Sequence, residues 1–436
     1  MSFSGPPPLR LELLDFAIED IQWGDRTVLE GGSLVVDPQD IQRQVEDLTR
    51  YVDIHYHLAR PGESKRIVHV LDTFLPIEKL TEGHTFPGVD SPAGLVGTGQ
   101  TVRFKNLLVT ITGQFPHLED MTPIERPREG IIDMSGTGAA YSYGAEYFHL
   151  ILELEPGAAL TNLAFDEMLR TAGVRIARHL AKVEKVAAEP ETSVVSFGAT
   201  RPGNRPKVVL IYQFQGQIPF VRTFYYGEDV SKTLPTFVLP NEFFDGAVVS
   251  GNYKSERKIP TSLHCNSYFI DDLLRRDGEE IDFLGVILSR GYNDSLEQKK
   301  KMGLWSARLA RNLGAQGAIA MMEGVGNGTI DFMQTVKACE EEGIKTVAVL
   351  QEANGATGYE RPLVDHPQEA NAMISRGNSA ERLYLPPLET VIGGDHMDLH
   401  LKARHDARAP LFFEATIFFG AFAQMGASGL QAIYEY

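Results

Sequence analysis

Apolar and polar positions alternate in two different ways along this chain. In the first part the apolar stretches are short: Leu11-Glu12-Leu13, Gly32-Ser33-Leu34-Val35-Val36-Asp37 and Asn106-Leu107-Leu108-Val109-Thr110-Ile111, punctuated by glycines and prolines. Such runs predict strands joined by turns. After Glu155-Pro156-Gly157 the period lengthens, with Leu160, Leu163, Ala164, Met168, Ala172, Ile176 and Leu180 near helical spacing, which predicts an amphipathic helix over 161–185. Beyond Lys207 the runs become fully apolar: 207–212, 283–288, 318–322 and 346–350. These suit strands covered on both faces. The segments 295–313 and 329–342 between them have helical length and spacing, so the order is repeated βαβ and the sheet is expected to be mostly parallel.

The pattern therefore predicts an α/β protein: a β-rich N-terminal domain over 1–186, ending in the amphipathic helix, and a doubly wound, mostly parallel α/β domain over 207–436. Residues 187–206 hold Pro190, Gly198, Pro202, Gly203 and Pro206 without periodicity, the composition of a linker. The Gly-rich C-terminal segment from Arg382 onward is expected to fold back over the sheet.

Composition narrows the function. A chain of 436 residues can bury two or three cores without disulfides, and its two cysteines, Cys265 and Cys339, have no paired spacing. A reducing, cytoplasmic setting is expected. The first residues lack a signal-peptide pattern and no apolar run approaches membrane-spanning length. A net charge of −17, with no concentrated basic patch, opposes nucleic-acid binding.

In an open α/β sheet the ligand crevice lies beyond the carboxyl ends of the strands, which selects three segments as candidate loops. Glu323-Gly324-Val325-Gly326-Asn327-Gly328 follows one strand and precedes a helix. Its glycines permit an anion to approach helix amides, and a tight strand-to-helix turn explains them equally well. Gln351-Glu352-Ala353-Asn354-Gly355 follows the next strand, and 250–267 follows Ala247-Val248-Val249. By position, Tyr253, His264, Glu323, Asn327 and Glu352 are the candidate substrate-binding residues. Cys265 beside His264 suggests a nucleophile and base, but sequence neighbours on an extended chain point to opposite faces, so a buried, unreactive thiol is expected. His55 and His57 would share one strand face, yet no cysteine or spaced carboxylate cluster accompanies them, and a metal site is not expected.

Several motifs recur in one order: Ala59-Arg60-Pro61-Gly62-Glu63-Ser64, Gly97-Thr98-Gly99, Glu129-Gly130-Ile131-Ile132-Asp133-Met134-Ser135-Gly136, Asp245-Gly246-Ala247-Val248-Val249-Ser250-Gly251-Asn252, Glu323-Gly324-Val325-Gly326-Asn327, Gly343-Ile344-Lys345-Thr346-Val347 and Leu385-Pro386-Pro387. Together they resemble the proprotein subunit of component B of glycine, sarcosine and betaine reductases. The resemblance adds Arg60 and Asp133 as candidates, through their motifs alone. It also implies that a cysteine should follow Ser250-Gly251-Asn252, the point at which such chains cut themselves and leave a pyruvoyl group. Here Tyr253 stands at that position, and Arg257 replaces a second family cysteine. An acyl shift needs a thiol or hydroxyl on the β-carbon, whereas the tyrosine hydroxyl lies across an aromatic ring. Ser255 could form an ester but is two residues out of register. The expectation is an uncut chain with no pyruvoyl cofactor.

The resemblance further implies a hetero-oligomer in which a second subunit bears the cysteine or selenocysteine that attacks a small-molecule substrate, with this chain shaping the pocket. Two alternatives stand beside it: a non-catalytic binding or assembly subunit, and an independent enzyme using Cys265.

Overall fold

The computed structural model describes residues 8–182, 186–187, 189–198, 203–255, 258–352, 363–399 and 403–423. The N-terminal half is β-rich. Leu9–Ala17 runs parallel to Gly99–Lys105 and antiparallel to Glu191–Phe197, while a second sheet orders Val52–Ala59, Phe148–Pro156, Leu107–Gly113 and Val70–Phe74. The predicted amphipathic helix is Asn162–Leu180, begun by the Thr161 hydroxyl, which accepts from the Ala164 amide at 3.2 Å. It turns Phe165, Leu169, Ala172, Ile176 and Leu180 into the core of this half.

Glu191–Phe197 lies within the stretch whose composition reads as a linker. Only Val195 and Phe197 of this strand are buried, so its alternation is short and the flanking prolines and glycines mask it. The strand joins the N-terminal sheet by seven paired residues.

The second half is built on a six-stranded sheet. Five strands are mutually parallel, in the spatial order Asp282–Arg290, Lys207–Phe214, Gly317–Met322, Lys345–Glu352 and Met373–Asn378, and Thr236–Val238 adds an antiparallel edge. Leu296–Asn312 and Asn327–Glu341 cover one face, their Ala307, Ala310, Ala338 and Cys339 packing on Val209, Ile211, Ile287 and Ala318. Ile270 and Leu273 of Tyr268–Arg276 and Leu263 of Thr261–Cys265 pack with Leu210, Tyr212, Phe214, Val286 and Leu288. Period-2 alternation places these two sets of sheet residues on opposite faces. That two-sided burial is why the strands read as continuous apolar runs.

One core cluster crosses the chain midpoint, joining Ile67, Val70, Leu108, Ile132 and Ile151 to Leu210, Phe214, Val286 and Met321. The C-terminal segment also reaches back to the first half rather than lying only over the second. Thr390–Ile392 pairs in parallel with Lys65–Ile67. Among the described residues, no helix is long and apolar enough to cross a membrane.

Candidate functional site

Sequence reading treats 250–267 as a loop at a strand end, but the structure makes its first part a strand. Val248–Asn252 is wholly buried and pairs antiparallel with Val221–Tyr225 in a small separate sheet. Thr261–Cys265 follows as a short helix wedged between the halves. Ser250 donates its amide to Thr261 Oγ1 at 2.9 Å, and the Thr261 hydroxyl donates to Asp72 Oδ2 at 2.6 Å. Ser262 Oγ lies 2.6 Å from Thr73 Oγ1 and 3.0 Å from Tyr143 Oη. Small hydroxyl residues suit this helix because each must satisfy a buried partner from the first half.

Tyr253 is 3% exposed. Its ring centroid sits 5.2 Å from that of Phe115, and its hydroxyl donates to Asp166 Oδ1 at 2.6 Å. Burial raises the Tyr253 pKa well above the ordinary phenol value, and the adjacent Asp166 adds to the shift. Asp166 also pairs with Arg170 and, at 3.5 Å, with Arg222. Lys258 completes the cluster, its Nζ 3.3 Å from Asp72 Oδ1 and 5.0 Å from the Tyr253 ring centroid. Burial lowers the Lys258 pKa from the ordinary value, against the opposing pull of Asp72.

The resemblance places the source of a pyruvoyl group at residue 253. The tyrosine side chain does not fit that chemistry, since its hydroxyl is separated from the β-carbon by the ring and is committed to Asp166. Ser255 is likewise engaged, its hydroxyl donating to the Glu129 carbonyl and, at 3.0 Å, to that of Thr416. Arg257 lies outside the described residues.

His264 and Glu323 are the two sequence candidates that the fold brings together. Both are fully buried, with His264 Nε2 at 3.3 Å from Glu323 Oε1. Glu323 follows the strand Gly317–Met322 and accepts from the Gln215 amide and the Thr223 hydroxyl, each at 2.6 Å. Gln215 follows the neighbouring strand Lys207–Phe214, so the pair marks the carboxyl ends of two adjacent parallel strands. Around it, His264 Nδ1, Tyr212 Oη and both polar atoms of the Gln215 side chain, Nε2 and Oε1, are buried without a hydrogen-bond partner among the described residues. Two of the glycines after Glu323, Gly324 and Gly328, are explained by Tyr292. Gly324 adopts φ +93°, and a Cβ there would lie 2.1 Å from the Tyr292 hydroxyl, which bonds both the amide and the carbonyl of Val325.

The remaining candidates lie apart. Asn327 is exposed at the start of its helix, and Glu352 ends its strand with its carbonyl accepting from Ser379. Asp133 is held bidentately by the buried Arg66, at 2.7 and 2.8 Å. Arg60 bonds Asp20, Glu63 and the Ile21 carbonyl. His57 and His55 face Glu153 and Glu155 on the paired strand, at 2.9 and 3.8 Å. Cys265 is on a helix rather than an extended chain, yet the outcome for a His264–Cys265 pair is unchanged, because adjacent helical residues do not face each other. Burial pushes the Cys265 thiol far up and that of Cys339 up to about 12, so neither is poised as a thiolate. Asp72, Asp166 and Lys258 carry no motif or periodic signal in one sequence. Their importance comes from partners far along the chain.

Fold and site thus define a mixed α/β protein with a buried polar centre where its two halves meet. Over residues 9–408 it matches the family of glycine/sarcosine/betaine reductase component B subunits, and it belongs to that family. It is 34% identical over 392 residues to the glycine reductase complex component B subunits alpha and beta of Peptoclostridium acidaminophilum, covering 88% of this chain and 89% of the relative. The betaine reductase complex component B subunit alpha of that organism is 32% identical over 411 residues, at 88% of each chain. Its sarcosine reductase counterpart is 32% identical over 395 residues, at 88% of this chain and 89% of the relative. No solved structure matches.

Proposed function

We propose that this chain is an uncut subunit of a reductase complex that cleaves a carbon–heteroatom bond, C–N or C–S, in a small amino-acid-derived or betaine-like compound. The observation that carries this reading is Tyr253, anchored to Asp166 where the family's self-processing would need a thiol. With no pyruvoyl group, the substrate is held by ordinary contacts rather than as a Schiff base. With Cys265 and Cys339 buried and their thiols raised in pKa, the attacking thiol or selenol comes from a partner subunit in a cytoplasmic hetero-oligomer. The doubly wound reading of the sheet adds a place for ligand-linked change. In its 2-1-3-4-5 strand order the crevice lies at the carboxyl ends of the first and third strands, where Gln215 and Glu323 meet.

The buried thiols equally support a subunit that only binds or assembles. Reductase assays with a dithiol donor and a substrate panel, run on the thiol-bearing partner with and without this chain, separate the two. Turnover that requires both proteins is expected, with none from this chain alone. Full activity of the isolated chain would contradict the two-subunit reading, and partner activity indifferent to it would leave an assembly role.

A further inference from the structure

A cavity of about 410 Å3 opens beside Lys254 and Ser255, one ring away from Tyr253. Phe115, whose ring meets that of Tyr253 at a tilt of 57°, forms part of its wall, and Arg128, which also lines it, donates its amide to the Tyr253 carbonyl at 2.9 Å. Pockets of 300–1,000 Å3 commonly hold drug-sized ligands, so this space suits a ligand larger than a two-carbon amino acid.

The cavity is built around His69, a non-glycine residue held at φ +54° and only 7% exposed. Left-handed backbone at such a residue is strained and persists only where its surroundings impose it. Glu129 imposes it here. The His69 amide donates to Glu129 Oε1 at 2.7 Å, His69 Nδ1 lies 2.9 Å from Oε2, and the Asp398 amide donates to Oε2 at 3.1 Å. With Nδ1 fixed, His69 Nε2 is the ring atom left to meet the Gln114 side chain, which also lines the cavity. Burial disfavours the imidazolium, but the facing Glu129 and Asp398 outweigh it and raise the His69 pKa above its ordinary value.

The lining charge is asymmetric. Arg126, Arg128, Lys254 and Arg404 stand against only Glu129 and Asp398. Glu129 is taken up by His69, and Asp398 faces Arg404 at 3.9 Å. In a chain of net charge −17, a local excess of cations marks a place for a negative group. Part of the wall is apolar, formed by Leu118, Phe413 and Ile417. Phe413 and Ile417 lie beyond residue 408, where the family match stops, so that wall is a part of the site by which this chain can differ from its relatives.

We propose that this cavity binds a small carboxylate larger than glycine, its anionic end toward Arg126, Arg128 and Arg404, its apolar body against Leu118 and Phe413, and the Gln114 side chain, held in place by His69 Nε2, as a second polar contact. Only the identification of that ligand as substrate rests on the reductase reading; the binding itself does not. Calorimetric titration of the full chain with straight-chain carboxylates from acetate to octanoate, and with choline as a cationic control, tests it. Saturable binding that strengthens with chain length is expected, weakened about tenfold or more by His69→Gln and abolished by Leu118→Trp, which fills the space without removing a hydrogen bond. Arg404→Ala, at an exposed side chain, provides a third variant that leaves the core untouched and should also weaken binding. No saturable binding of any carboxylate, tighter binding of choline, or affinities unchanged in all three variants would overturn the proposal. Carboxylate binding without reductase turnover in the reconstituted complex would instead count against the reductase reading alone.

Discussion

Asp166→Ala is expected to lower the unfolding free energy by about 3–5 kcal/mol, the range for removing one partner of a buried ion pair. Asp166 is 1% exposed and serves three groups at once: the Tyr253 hydroxyl, Arg170 and Arg222. Arg222 keeps Asp229 at 2.9 Å as a second carboxylate, so the loss falls mainly on Arg170 and Tyr253. Tyr253 would remain buried beside Phe115 and Arg170 largely buried over Phe224, with a hydroxyl and a charge unmatched. Tyr253→Phe removes only one hydrogen bond to a charged group and is expected to cost about 1.5–3 kcal/mol. Because the two residues share that bond, the double variant should be less destabilised than the sum of the single changes. Urea unfolding of the three variants measures this. An Asp166→Ala protein within about 1 kcal/mol of the parent would show that the tyrosine is not anchored as described.

The second large effect is expected at Asp133, which the sequence offers only through a motif. Arg66 is fully buried, and besides its two bonds to Asp133 it donates to the carbonyls of Ala407 at 3.1 Å and Pro386 at 3.3 Å. The ion pair therefore fastens the C-terminal segment to the first half of the chain. Asp133→Ala should cost about 3–5 kcal/mol and also speed proteolysis after residue 386, since the unpaired guanidinium no longer has a fixed direction in which to hold those carbonyls. Gly138 shows how tightly the carboxylate is enclosed, for a Cβ there would lie 2.2 Å from Asp133 Oδ2. Unfolding curves and limited proteolysis of the variant check both effects. Loss of stability without earlier C-terminal cleavage would separate the ion pair from the docking of that segment.

Much of the second half was legible because its strands are buried on both faces and its helices on one, and these two environments write different periods into the sequence. The strand Glu191–Phe197 was hidden because only two of its residues are buried. Val248–Asn252 was misplaced for a different reason: residues 250 onward suggested a loop entered from the apolar Ala247-Val248-Val249, whereas the segment belongs to an antiparallel sheet set by the distant Val221–Tyr225. The pairing of His264 with Glu323 was half visible, each residue being near a strand end, although their contact required the fold. His69 and Asp166 gave no local signal beyond the i,i+4 pairing of Asp166 with Arg170, since their other partners, Glu129, Tyr253 and Arg222, are separated from them by tens of residues. Tyr253 was conspicuous only against the family pattern, and the structure supplies what the pattern lacked, a buried acceptor for its hydroxyl.

That tyrosine carries the central claim, that the chain remains whole and makes no pyruvoyl group of its own. Intact-mass spectrometry of the purified protein tests it most directly. A single species near 48.2 kDa is predicted, whereas two fragments meeting at the bond between Asn252 and Tyr253 would contradict the account.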